Sequence, residues 1–248
     1  MKTDITLPTD DGDARAFVFT PDTGSGPWPG AILVMDAPAI RPAMFEMGER
    51  LAQAGYYVIL PDLFWRAGPY DPPDIKAARA GDPAAVALFG KLRGSTSAEK
   101  QMTDVKACLD WLAKAPQVKG EKVGVTGYCM GAGVALRTAG AYPDAIAAVG
   151  GFHGGRLATD EPNSPHLLAP KINARVYIAG GDEDAGFPPA QADRLRDALT
   201  AAGVKNEVAI YPGARHGYAP PDMPVYDREA SERHFRELFK LLDETLKP

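Results

Sequence analysis

The sequence predicts an α/β fold built on a mostly parallel central sheet with helices on both faces. Three observations carry this. Segments rich in β-branched and aromatic residues alternate with segments of helical period. The strand candidates are short apolar runs, as strands covered on both faces require. The chain has 248 residues, 45% of them hydrophobic and 24% charged, which is globular composition and fits one domain over residues 1–248.

The first two strand candidates, residues 4–7 and 14–19, flank Asp11-Gly12, a dipeptide that supplies positive φ in a tight turn, and form an N-terminal antiparallel hairpin. The Pro/Gly-rich piece from Gly24 to Gly30 reads as a loop. Strands follow at residues 31–35 and 56–60. Residues 66–97, interrupted by Pro69, Pro72, Pro73, Gly81 and Pro83, read as an irregular, lid-like connection over the ligand-facing edge. Thr96-x-x-Glu99 has the form of a capping box, and Met102, Val105, Leu109 and Leu112 then keep helical spacing until Pro116. Further strands are expected at 122–126, 145–149, 174–179 and 206–211. Helices are expected over 132–142, around Leu195 and Leu199 with Gly203 at the end, and along the stripe Phe235, Leu238, Phe239 and Leu242.

Composition excludes several function classes. Lys and Arg number 27 against 32 Asp and Glu, a net charge of −5, so the phosphate contacts of non-specific nucleic-acid binding are not expected. No apolar run approaches the roughly 18 residues of a membrane span, and the N-terminus shows no signal-peptide h-region, so a cytoplasmic location is expected. Two cysteines, Cys108 and Cys129, are too few for a disulfide framework, and neither they nor the four histidines have zinc-ligand spacing. No metal or other cofactor is called for.

Gly127-Tyr128-Cys129-Met130-Gly131 lies between a predicted strand and a small-residue helix, the context of a nucleophile elbow. A thiol near pKa 8.5 is only a few per cent ionised at pH 7, so Cys129 needs a helix N-terminus and a base beside it. The bland reading is a small buried residue in a tight turn. Cys108, between Val105 and Leu109 on an amphipathic helix, reads as core. His216 follows a strand in a Gly/Pro-containing loop and is the candidate base. His153, in Gly150-Gly151-Phe152-His153-Gly154-Gly155, reads as pocket wall, His234 as a surface or packing residue, and His166 has no evident partner. Where an elbow carries a triad, the orienting acid lies between nucleophile and histidine. The segment Gly180-Gly181-Asp182-Glu183-Asp184 supplies it, with Asp184 preferred and Asp182 in reserve.

With these pieces in place the chain resembles the dienelactone hydrolase family. The matching stretches are residues 31–36, residues 51–62 (LAQAGYYVILPD), GYCMGAG, GGDEDAGFPP and YPGARHGY. The resemblance implies an α/β-hydrolase fold, a Cys129, Asp184, His216 triad and an oxyanion hole from the backbone N–H groups of Ala37 and Met130. It also implies that Asp36, where family members carry glutamate, holds the resting thiol and helps to generate the thiolate. The arginine expected shortly after the catalytic histidine to grip a substrate carboxylate is missing, since Tyr218-Ala219-Pro220-Pro221 stands there; Arg66 and Arg41 are candidates to replace it. Phe64, Trp65, Tyr128 and His153 are the expected pocket wall, with Arg66 beside them.

The implied reaction is hydrolysis of a small ester or lactone through a cysteine acyl-enzyme, by a monomer or homodimer whose partner is that small molecule, with no nucleic acid and no membrane. The alternatives are a non-catalytic ligand-binding protein on the same fold and a thiol redox protein using Cys129, the latter lacking a nearby resolving cysteine.

Overall fold

The computed structural model describes residues 1–247. Eight strands form one sheet: β1 (Lys2–Thr9), β2 (Gly12–Phe19), β3 (Trp28–Val34), β4 (Tyr57–Pro61), β5 (Val118–Tyr128), β6 (Ile146–Phe152), β7 (Arg175–Gly181) and β8 (Asn206–Tyr211). Their order is β1-β2-β4-β3-β5-β6-β7-β8. The β1–β2 and β2–β4 pairs are antiparallel and all others parallel, so the expected hairpin forms one edge. The turn between β1 and β2 is closed at Gly12, whose φ of 126° disfavours a side chain.

Helices cover both faces. They are α1 (Pro42–Gln53), α2 (Ile75–Arg79), α3 (Pro83–Gly94), α4 (Ala98–Lys114), α5 (Met130–Ala141), α6 (Pro189–Ala201) and α7 (Arg228–Leu246). The α7 stripe buries Phe235, Leu238 and Leu242. A Cβ at Gly124 of β5 would stand 2.5 Å from the Leu242 side chain, so the bare backbone there sets how closely α7 approaches the sheet. Among the described residues no helix is long and apolar enough to cross a membrane.

Three local expectations are corrected. The segment from Gly24 to Gly30 is not all loop, because β3 begins at Trp28, which donates to Gln117 at 2.7 Å; its pairing with β5 shifts register just after Pro29, a residue with no N–H to give. The cap of α4 is Ser97 and not Thr96: the Ser97 hydroxyl accepts from the Lys100 N–H at 3.3 Å. Residues 66–97 are more regular than their prolines and glycines indicate. Asp74 and Asp82 cap α2 and α3, and Pro83 occupies the first turn of α3, where a missing N–H costs nothing. This stretch is also anchored, with Arg66 bonded to Asp104 of α4 at 2.9 Å and Tyr70 to Asp62 at 2.7 Å.

The chain turns one way from β3 to β4 and the other way to β5, so the strand order reverses beside β3. Side chains that follow β3, β5, β6, β7 and β8 therefore gather along one edge, at the switch point where open α/β sheets place ligands.

Leu238 is fully buried against Gly150 of β6, whereas Arg236, two residues earlier on the opposite face of α7, is exposed. Leu238→Ala should lower the unfolding free energy by about 2–5 kcal/mol in urea titration, and Arg236→Ala should stay within about 0.5 kcal/mol.

Candidate active site

Cys129 follows β5 directly and precedes the first residue of α5. Its backbone sits at φ 53°, ψ −114°, a region that costs a non-glycine residue on the order of 1–3 kcal/mol. Packing holds it there. A Cβ at Gly127 would lie 2.0 Å from the Gly131 carbonyl oxygen, and one at Gly131 would lie 2.5 Å from the Val34 oxygen, so both glycines are required for strand and helix to meet. The Cys129 N–H is tied to the Phe152 carbonyl at 3.0 Å. The result is a partly exposed sulfur at a helix N-terminus. Cys108, by contrast, is fully buried on α4, and burial with the nearby Asp104 charge pushes its thiol pKa up.

His216, in the loop after β8, meets that sulfur with Nε2 3.0 Å from Sγ, and its Nδ1 lies 2.8 Å from Asp184 Oδ2. The other Asp184 oxygen accepts from the Gly186 N–H at 2.8 Å, which fixes the carboxylate plane. Burial alone would lower the His216 pKa, but hydrogen bonds to Asp184 and Cys129 and the charges of both outweigh it and push it up to about 10. A ring that favours its charged form directs Nδ1–H at Asp184 and Nε2–H at the sulfur. Asp182, the reserve acid, faces elsewhere and accepts from the Gly213 N–H at 2.6 Å, pinning the turn that leads to His216.

Thiol and imidazole open onto a cavity of about 720 Å³ that Ala37 and Met130 also line. Met130 begins α5, so its N–H has no intrahelical acceptor. The cavity wall is cationic. Arg93, Arg137 and Arg156 line it, against one carboxylate, Glu161. Arg156 and Glu161 are 3.8 Å apart at the surface. Arg137 is the one charged residue of α5; it donates to the Asn163 carbonyl at 3.0 Å, and burial pulls its pKa down. A larger groove of about 810 Å³, near α4 and the β1–β2 turn, holds neither a cysteine nor a histidine.

None of the residues expected as pocket wall lines the thiol's cavity. Phe64 is fully buried, and its N–H donates to Asp62. Trp65 bonds Asp104 through its indole N–H at 3.1 Å, and Arg66 is taken up by Asp104 and Asp11, so neither reaches a substrate. Tyr128 alternates inward from Cys129 and its hydroxyl meets His234 Nε2 at 3.0 Å in the core, where burial pushes the His234 pKa down to about 3. His153 is also fully buried; its ring backs His216 edge to face at 5.6 Å and stays out of the cavity. His166 bonds Ser164.

The expectation for Asp36 is corrected too. Both its oxygens are held by the Arg41 guanidinium, at 2.5 and 3.0 Å, and its carboxylate does not hold the thiol. One methylene shorter than glutamate and paired with a buried arginine, it makes no hydrogen bond to Cys129, whose sulfur meets His216 instead. Arg41, nearly fully buried, is equally withdrawn from substrate. Sequence reasoning missed Arg93, Arg137 and Arg156. For Arg137 a signal existed: a lone charge in the otherwise uncharged MGAGVALRTAGA, eight positions after the nucleophile.

The family model described as the dienelactone hydrolase family matches residues 14–246. A Synechocystis protein named "Putative carboxymethylenebutenolidase" is 27% identical, the match covering 98% of this chain and 96% of that protein. A Rhodococcus opacus carboxymethylenebutenolidase is 28% identical, covering 79% and 72% of the two chains. The crystal structure titled "Putative Dienelactone Hydrolase" from Klebsiella pneumoniae superposes with a TM-score of 0.84 at 24% identity, over 98% of both chains, and shows the shared fold.

The His216 proton can be read directly. Imidazole ¹⁵N NMR should show the ring doubly protonated at pH 8 and titrating near 10, and Asp184→Asn or Cys129→Ala should each lower that value, because each removes a partner that favours the charged ring. A wild-type ring titrating near 6.5 would contradict the assignment.

Proposed function

The chain belongs to the dienelactone hydrolase family and is a hydrolase of that type, and we propose that it opens a small ester or lactone by nucleophilic attack of Cys129. The observation that carries this reading is the unbroken line from Cys129 Sγ through the His216 ring to Asp184, with contacts of 3.0 and 2.8 Å.

The thiolate adds to the substrate carbonyl, and the charge passes to the carbonyl oxygen, where the Ala37 and Met130 amides receive it. The tetrahedral adduct collapses by breaking the ester C–O bond while His216 Nε2–H gives its proton to the leaving oxygen. With a lactone that oxygen stays tethered, as the hydroxyl of the acyl group on sulfur. Neutral His216, held in the right tautomer by Asp184, then takes a proton from water, which attacks the thioester. Collapse of the second adduct returns the thiolate and the imidazolium, and releases the acid.

The cavity wall specifies the substrate further. Arg137 is half-buried and has a carbonyl but, among the described residues, no carboxylate within ion-pair distance. A partly desolvated cation of this kind favours an anionic ligand. We assign Arg137, with Arg93 and Arg156 at the rim, to a carboxylate on the substrate. It takes the place of the arginine missing after His216, a task for which Arg41 and Arg66 are not free.

Two measurements check this. Incubation with aryl esters and lactones should leave an acyl adduct on Cys129 detectable by mass spectrometry, and Cys129→Ala should lose the adduct and nearly all turnover; an adduct on Cys108 instead would sink the mechanism. Arg137→Ala should cut kcat/KM for a carboxylate-bearing ester by about 10- to 100-fold, the loss of a charge-assisted hydrogen bond, mostly in KM, while a neutral ester changes little.

A further inference from the structure

The carboxylate that the thiol does not use has another employment. Arg41 has five N–H donors, and all five are engaged: Nε with Asp222 Oδ2 at 2.6 Å, one Nη1 proton with Asp36 Oδ1 at 2.5 Å and the other with the Ala39 carbonyl at 3.2 Å, and Nη2 with Asp36 Oδ2 at 3.0 Å and Asp222 Oδ1 at 3.1 Å. Arg41 and Asp36 side chains are 3% and 2% exposed, Asp222 38%. Two segments 181 residues apart are thus joined by one planar ion.

Those two segments flank the chemistry. Asp36 and Ala37 share a peptide bond and Ala37 lines the cavity, so a grip on the Asp36 side chain constrains the orientation of that amide. Asp222 lies six residues after His216, in a loop fixed by other bonds: Tyr218 N–H to Arg215 O at 3.1 Å, Asp227 N–H to Tyr218 O at 3.0 Å, and Ser231 Oγ to Ala219 O at 2.9 Å. The β3–α1 loop is less favourably placed on its own. Ala39 sits at φ 70°, a left-handed conformation that alanine adopts at a cost, and its N–H bond to Asp36 O is 3.2 Å long. The anchored side is therefore the loop after His216, and the held side is the loop that carries Ala37.

We propose that Arg41 is a positioning residue: it clamps the Ala37 amide at the distance from Cys129 at which it receives the oxyanion, using Asp222 as the fixed point. This rests on the reading of Cys129 as an acylating nucleophile. A bidentate pair on both sides fixes the guanidinium in plane and angle, which a lysine ammonium at the same place does not.

The test compares two reactions of the same sulfur. Acylation by p-nitrophenyl acetate develops an oxyanion and needs the Ala37 amide; alkylation by iodoacetamide develops none and needs only the thiolate–imidazolium pair. Arg41→Lys and Asp222→Asn should each lower the acylation rate constant and kcat for p-nitrophenyl acetate at least tenfold, with KM little changed, and leave the alkylation rate within about twofold; total loss of one oxyanion donor costs 10²–10³ in kcat. Asp222→Glu, which keeps the carboxylate, should retain most of the activity. Asp222 is half-exposed, so its neutral variant tests the clamp even if Arg41→Lys does not fold. Equal loss in both reactions, which general loosening of the site would produce, or no loss in either, overturns the clamp. If the wild type forms no Cys129 acyl adduct with any ester, it is the hydrolytic reading that fails, not the clamp alone.

Discussion

The site depends on a backbone contact with no side chain in it. At the elbow, Gly131 lies so close to Val34 and Met35 of the neighbouring strand end that a methyl group would stand 2.5 and 2.7 Å from their carbonyl oxygens. That approach fixes α5 against the end of β3, and so fixes the first amide of α5 against the loop that follows β3. It also leaves the intervening residue no ordinary conformation, and Cys129 is held at positive φ with its sulfur lifted from the sheet edge. Cys129, Met130 and Ala37, from separate elements, line one cavity because glycine lets two backbones touch.

Around that contact the charges are arranged against the balance of the whole chain. The protein is acidic, at −5, yet three arginines and one glutamate line the cavity. Acidic groups near the chemistry are turned to internal work: Asp184 orients His216, Asp182 pins the turn before it, and Asp36 and Asp222 are occupied by Arg41. The field at the cavity mouth is thus set by which ions are already paired, and the net charge says little about it.

The same distinction explains what was legible in the sequence. Strand positions and helix stripes depend on local periodicity, and the α/β class follows from their alternation. The Cys129, His216 and Asp184 arrangement was legible because each member stands in a loop of recognisable type after a strand. Phe64, Trp65 and Tyr128 were misplaced because alternation in a strand and the side of a turn decide inside from outside, and a shift of one position reverses the answer. Arg66 and Arg41 were misplaced for a different reason. Their partners Asp104 and Asp222 lie 38 and 181 residues away, and long-range ion pairing leaves no trace in neighbouring residues; Asp36, five residues from Arg41, was assigned to the thiol instead. Arg137 was overlooked because a charge within a small-residue helix reads as solvated surface until the loop that packs against it, with the Asn163 carbonyl, is placed.

Position 36 shows how one methylene redistributes labour in such a site. A carboxylate that reaches the thiol can hold it protonated at rest and release it when substrate arrives, so activation waits on binding. Here the shorter carboxylate is bidentate to a guanidinium that is itself saturated, and breaking that pair would strand two buried charges. It is therefore fixed in place and cannot serve as a gate. The sulfur instead meets an imidazole whose affinity for its proton is raised by Asp184 and by the sulfur itself, so a base stands directly beside the thiol with no carboxylate between them. With no carboxylate poised to release the thiol on binding, discrimination between substrates falls to the cavity wall.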